Sequence, residues 1–98
     1  MKKVSIIIPC YNEESNLINL YQNLASFMNE HSEYLWQILL INDGSRDHTF
    51  EIIKDIRTKD KRFSYIHLSR NFGKENAMLA GFDHVHGDCC IIMDADLQ

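Results

Sequence analysis

Apolar positions along the chain switch four times between a short continuous run and a helical spacing. Val4 to Pro9 is a β-branched run of the kind found in buried strands. From Ser15 to about Asn29, Leu17, Leu20, Tyr21, Leu24 and Met28 recur on one helical face, with Ser15 as the expected N-cap. Trp36 to Ile41 is the second apolar run, and Asn42-Asp43-Gly44-Ser45 is turn chemistry. Asp47 is then placed to cap a helix carrying Phe50, Ile53 and Ile56. Phe63 to Leu68 reads as a third strand and Asn71-Phe72-Gly73 as a loop. A helix follows from Lys74 to about Val85, with Ala77, Ala80 and Gly81 for close packing, and the last strand is Cys89 to Met93. Strands alternating with helices of this length imply right-handed crossovers and a parallel sheet.

Every strand exit carries chemistry-capable residues: Cys10-Tyr11-Asn12-Glu13-Glu14, Asn42-Asp43-Gly44-Ser45, Ser69-Arg70-Asn71-Phe72-Gly73-Lys74 and Asp94-Ala95-Asp96. The strand starts, at Lys3, Glu33, Arg62 and Asp88, look like ordinary solvated ends. In an open parallel sheet ligands sit beyond the carboxyl ends of the strands, so this asymmetry points to a ligand site. The first glycine is Gly44, which excludes a dinucleotide fingerprint after the first strand. Gly73-Lys74 is followed by Glu75 and has Leu68 where a phosphate-binding loop needs its first glycine, which excludes that motif too.

Asp94 and Asp96 offer another way to meet phosphate charge, through a hard divalent cation, Mg²⁺ or Mn²⁺. A strand-end cap is the alternative reading, but like charges this close are costly without a cation. Tyr11 suits base stacking or a core edge. Asp43 only accepts hydrogen bonds, which fits the imino N–H of a pyrimidine or guanine. Lys74 opposes the dipole at a helix start, which hints at an anionic partner, with a solvated lysine as the simpler reading. His84 and His86 with Cys89 and Cys90 resemble a metal cluster only superficially, because their spacing shares no face.

Composition narrows the field. The 98 residues form one domain with a single core; 45% are hydrophobic and 24% charged, as in an ordinary globular fold. Ten basic against 14 acidic residues give a net charge of −4, which argues against a nucleic-acid surface or a polybasic membrane patch. The first apolar run stops at Pro9, too soon for a secretory signal, and no run reaches membrane-spanning length. Adjacent Cys89 and Cys90 with a distant Cys10 make no disulfide framework, so a cytoplasmic location is expected.

Four motifs taken together resemble the N-terminal half of an inverting family 2 glycosyltransferase of the GT-A fold. They are Ile-Ile-Pro-Cys-Tyr-Asn-Glu-Glu at 7–14, Ile-Asn-Asp-Gly-Ser-Arg-Asp at 41–47, Ser-Arg-Asn-Phe-Gly-Lys-Glu at 69–75 and Met-Asp-Ala-Asp-Leu-Gln at 93–98. The chain looks most like the polyprenyl-phosphate sugar transferases, such as dolichyl-phosphate mannose synthase and undecaprenyl-phosphate glucosyltransferase. The resemblance implies a Rossmann-like three-layer αβα sandwich on a mostly parallel sheet of about four strands, cut after the Asp-x-Asp motif. It implies that Pro9, Tyr11, Asn12 and Glu13 line the base and ribose pocket and that Asp43 bonds the base. Arg70 and Lys74 would contact the diphosphate or sugar. Asp94 would bridge donor and metal, with Asp96 and Gln98 completing the metal ligands, and Asp94 and Asp96 would be the catalytic pair. Asn42 stands where many relatives carry another aspartate.

By the same resemblance the donor is a nucleoside-diphosphate sugar, a UDP-sugar in preference to GDP-mannose. The acceptor is a lipid phosphate or a glycan, reached through parts that follow the Asp-x-Asp motif and are absent here. A chain of this extent is expected to bind donor and metal without turnover, and the full-length protein to work at the cytoplasmic face of the membrane. An exposed sheet edge after the fourth strand is expected to favour self-association. The competing readings are a non-catalytic nucleotide-sugar binding module, a family 2 enzyme acting on a saccharide hydroxyl, and a generic doubly wound scaffold whose polar loops are only turns.

Overall fold

A computed structural model describes residues 2–82 and 87–95. The elements run β1 (Lys3–Cys10), α1 (Leu17–Glu30), β2 (Leu35–Asp43), α2 (Thr49–Lys59), β3 (Phe63–Leu68), α3 (Lys74–Phe82) and β4 (Cys89–Ile92). The four strands form one sheet in the order β3-β2-β1-β4, and every pairing is parallel. This is the alternating architecture that the apolar pattern predicts, with the chain reversing direction across the sheet between β3 and β4.

Alternation along the strands sorts side chains into two layers. Ile6, Ile8, Ile38, Leu40 and Phe63 face α1 and α2, where Leu17, Leu20, Leu24, Met28, Ile53 and Ile56 complete the larger core. Ile7, Leu39 and Ile41 face the other way and pack on Ala77 of α3. Gly81 lets α3 lie close, because a Cβ there would stand 2.7 Å from the Cγ2 of Ile7. The layers are therefore α, β, α.

Local details shift some expected boundaries. Helix α1 begins at Leu17 after Asn16, not at Ser15; the carbonyl of Glu13 accepts the N–H groups of Asn16 and Leu17 and starts the first turn instead. Asp47 does engage the start of α2, its Oδ1 accepting the Thr49 N–H at 2.9 Å. Phe50 leaves the core and stacks on His67, while Thr49 is buried in its place.

Strand β4 touches β1 alone among the described strands. Its register with β1 puts Ile91 beside Ile6 on the α1 face and Ile92 beside Ile7 on the α3 face, and both remain 42% exposed. Among the described strands none pairs with the outer side of β4.

Candidate functional site at the strand exits

The carboxyl ends of the strands enclose a cavity of about 510 Å³. Pro9, Tyr11 and Glu13 reach it from β1, Asp43 from β2, Lys74 from the start of α3 and Asp94 from beyond β4. Cys10, Asn71, Gly73 and Ala95 also line it. A larger apolar groove of about 750 Å³ lies between α1, β1 and the open side of β4. The groove offers Leu24, Phe27, Trp36, Ile91 and Met93 but few convergent polar groups, so the smaller cavity is the candidate chemical site.

Asp43 is 2% exposed, a burial that a carboxylate tolerates only with donors around it. It accepts the backbone N–H groups of Phe72 at 2.8 Å and Gly73 at 3.1 Å, and the Asn71 side-chain amide at 3.2 Å. These donors stand at the N-terminus of α3, where negative charge is favoured. A carboxylate has about four lone-pair positions, so three donors leave it able to accept one more hydrogen bond from a ligand. Gly44 follows with φ +69°, and a Cβ there would fall 2.2 Å from the Arg70 carbonyl carbon. The turn after β2 and the loop before α3 are thus locked together.

The loop after β1 is tied to the same turn. Asn12, with φ +54°, donates its N–H to Ser45 Oγ at 3.0 Å and accepts the Arg46 N–H on Oδ1 at 2.8 Å. Glu13 donates its N–H to Thr49 Oγ1 at 2.8 Å, and its side chain accepts from Asn16 Nδ2 at 2.8 Å. Tyr11 is left half-exposed at the rim. Below it, Cys10 is fully buried and points its thiol at the Ile8 carbonyl. Burial, and then the charge of Glu13, push that thiol up to about 12, so it stays protonated and unreactive at neutral pH.

On the far wall Lys74 Nζ forms an ion pair with the Asp94 carboxylate. That contact supplies a cation for Asp94 and an anion for the lysine at the head of α3. Asn12 and Arg70 do not line the cavity. Asn12 acts as the staple just described, and the Arg70 guanidinium sits 4.8 Å above the Phe72 ring. Asp96, Gln98, His84 and His86 lie outside the described residues. Among those described, no group of three or more His, Cys, Asp or Glu side chains could hold a metal ion. Asp94 alone presents hard oxygen ligands to the cavity from the expected metal set.

Asn71 and Cys10 line the cavity and belong to the strand-exit clusters, but the sequence assigned neither an individual role. The alternation of β1 carried a signal for Cys10, because it falls on the same face as Ile6 and Ile8. Asn71 stood in the exit cluster after β3, but its bond to Asp43 arises only when β2 and the α3 loop meet.

The family model for Glycosyl transferase family 2 matches residues 5–98. A Bacillus subtilis protein named as glycosyltransferase CsbB is 52% identical over 96 residues, which cover 97% of this chain and 29% of that one. The undecaprenyl-phosphate 4-deoxy-4-formamido-L-arabinose transferase of Salmonella choleraesuis is 43% identical, over 100% of this chain and 30% of its own length. The chain thus spans about 30% of the length of such relatives. Among solved structures, a Pyrobaculum calidifontis mannosyltransferase in complex with GDP-Man and Mn²⁺ superposes with a TM-score of 0.84 at 20% identity, over 97% of this chain and 28% of that one. S. aureus TarS in complex with UDP-GlcNAc superposes at 0.78 with 26% identity, over 96% and 26%.

Proposed function

The chain belongs to glycosyl transferase family 2, and from that premise we propose that its strand-exit cavity holds a nucleoside-diphosphate sugar and a divalent cation. The carrying observation is the convergence of Tyr11, Asp43, Lys74 and Asp94 on one 510 Å³ space. Tyr11 offers an aromatic face to the base at the rim, and Asp43 its remaining acceptor position to a base N–H. Pro9 and Glu13 wall the ribose side. Asn12 contributes to donor binding by shaping the loop. Arg70, held on Phe72 in this structure, serves the sugar or diphosphate if it swings inward.

Lys74 exchanges the Asp94 carboxylate for a phosphate oxygen when donor binds. Asp94, with Asp96 and Gln98, would hold Mg²⁺ or Mn²⁺, hard cations suited to these oxygen ligands. The bound cation would neutralise charge on the departing nucleoside diphosphate. The reading gains support from the neighbours solved with GDP-Man and Mn²⁺ and with UDP-GlcNAc. UDP is the favoured nucleotide.

Transfer proceeds by direct displacement at the anomeric carbon, with inversion, in a longer protein that carries the acceptor site. A polyprenyl phosphate is the favoured acceptor, in keeping with the 43%-identical relative named for undecaprenyl phosphate. A phosphate acceptor is already ionised and needs no strong base. The 98-residue chain itself binds donor and cation without turnover. Among the described residues no helix is long and apolar enough to cross a membrane; the cytoplasmic membrane face remains the proposed place of work of the longer protein.

Calorimetric titration with UDP, UDP-sugars and GDP-mannose, each with and without Mn²⁺, tests the donor site. Mn²⁺-dependent binding of a uridine nucleotide is the expected result. Absence of any metal-dependent nucleotide binding by the folded chain overturns the assignment. Sugar transfer to polyprenyl phosphate by a longer form, and not by this one, separates an enzyme from a binding module.

A further inference from the structure

Asn42 is completely buried at the end of β2, and its amide makes two hydrogen bonds there. Its Oδ1 accepts the backbone N–H of Ser45 at 3.3 Å. Its Nδ2 lies 2.8 Å from Nδ1 of His67, its register partner on β3. An amide nitrogen only donates, so Nδ1 of His67 is the acceptor and the neutral ring carries its proton on Nε2. Ser45 fixes the amide's orientation, because turning it over would oppose two donors. The ring itself is held by Phe50 of α2, stacked at 4.0 Å with an interplanar angle of 11°.

We propose that His67 is a positioning residue for the cavity: its Nδ1 fixes the Asn42 amide, which shapes the 42–45 turn and so places Asp43 and the loop after β1. The constraint passes through Ser45, whose N–H is held by Asn42 and whose Oγ holds Asn12. Only the consequence for ligand affinity rests on the donor-site reading; the relay itself does not. A protonated imidazole has no acceptor nitrogen. Asn42 then loses its partner, or turns its amide and deprives Ser45 of an acceptor. Either way the turn loosens on the acid side, because a buried donor or acceptor without a partner is expensive. Around the ring, Lys54 of α2 lies 4.6 Å from the Phe50 centroid and Tyr65 of β3 packs edge-on to Phe50 at 5.5 Å. Asp43, next to Asn42, turns its carboxylate to the α3 loop. His48, 3.1 Å from Glu14, is the other imidazole beside the turn.

The test is NMR of the ¹⁵N-labelled chain against pH, for the parent, His67→Phe and Asn42→Asp. His67 is exposed, so the phenylalanine can keep the stack without refilling a core. Long-range ring correlations should show the Nε2–H tautomer in the parent. The backbone amides of Ser45 and Asn12 should shift as the His67 ring titrates and stop doing so in His67→Phe, which separates His67 from His48. In Asn42→Asp the carboxylate only accepts hydrogen bonds, so the ring should turn a proton-bearing Nδ1 to it in place of the Nε2–H tautomer. Affinity for UDP with Mn²⁺ should fall about threefold to tenfold in His67→Phe. An Nδ1–H tautomer in the parent, or Ser45 and Asn12 amides unmoved by His67→Phe, overturns the proposal. If UDP fails to bind the parent while the amide response persists, the donor-site reading falls and the relay stands.

Discussion

The carboxylate of Asp43 receives the backbone N–H of Phe72 at 2.8 Å, joining the exit of β2 to the loop that starts α3. Asp43→Asn keeps the shape but surrenders a charged acceptor to two backbone donors. The expected loss is about 1.5–3 kcal/mol in urea unfolding, the range for hydrogen bonds to charged groups. UDP affinity should fall in parallel. An unchanged unfolding midpoint would show that the carboxylate does not brace this loop.

Lys74 and Asp94 should behave oppositely to Asp43. Their ion pair is solvent-exposed, with side chains 57% and 43% accessible, so breaking it should change stability by less than about 1 kcal/mol. Asp94→Ala should nonetheless abolish the Mn²⁺ dependence of nucleotide binding, and Lys74→Met should weaken UDP binding about tenfold or more. Titrations indistinguishable from the parent count against both roles.

Two glycines with positive φ should differ sharply on replacement by alanine. At Gly44 the new Cβ meets the Arg70 and Asn71 backbone at 2.2 Å, and the expected cost is about 2–4 kcal/mol. At Gly73 nothing lies within 4 Å, so only the left-handed backbone is penalised, by about 1–2 kcal/mol. Equal losses in thermal unfolding would contradict the close approach of the two loops.

Acid should weaken the far end of the fold through Asp60. The Arg62 guanidinium, hydrogen-bonded to its carboxylate at 2.7 Å and 3.0 Å, holds that carboxyl below its ordinary value against the opposing effect of burial. A depressed folded value means the contribution is complete above the unfolded value of about 3.9 and disappears as pH falls through the folded one. Asp60→Asn should remove this component, flattening the stability profile below about pH 4. A mutant profile parallel to the parent's would refute the linkage.

Thiol chemistry can report on the sheet edge. Cys89 and Cys90 are exposed on β4 and should be alkylated by a maleimide in the folded chain. Cys90 should react more slowly, because burial and then Cys89 raise its thiol, while buried Cys10 reacts only on unfolding. The bare edge should also promote self-association at high concentration, measured by sedimentation. A strictly monomeric species would argue against an adhesive edge.

The order of elements was legible because each apolar run had one period and one length. Position at the cavity was legible where strand exits concentrate polar residues, which is what gathers Tyr11, Glu13, Asp43, Lys74 and Asp94. Less legible was what a polar side chain does once there. Asn12 reads as a ligand contact, and its hydrogen bonds to Ser45 and Arg46, more than thirty residues away, could not be read from the motif. Phe50 carried a helical core spacing yet lies against His67, because that flank of α2 looks over the edge strand β3 rather than the centre of the sheet.

The cavity has unequal walls. Its β1 and β2 sides are stitched to each other by backbone hydrogen bonds, while Asp94 follows a four-residue strand supported from one side only among the described strands. Local opening should therefore begin at β4, and its amides should exchange with deuterium well before those of β1 and β2. A ligand that engages Asp94 would be seized by a rigid half-site and would in turn anneal the loose one, so part of its binding energy would be spent on folding. Donor recognition and the ordering of the weakest strand would then be a single thermodynamic event, visible as slowed exchange at Ile91 and Ile92.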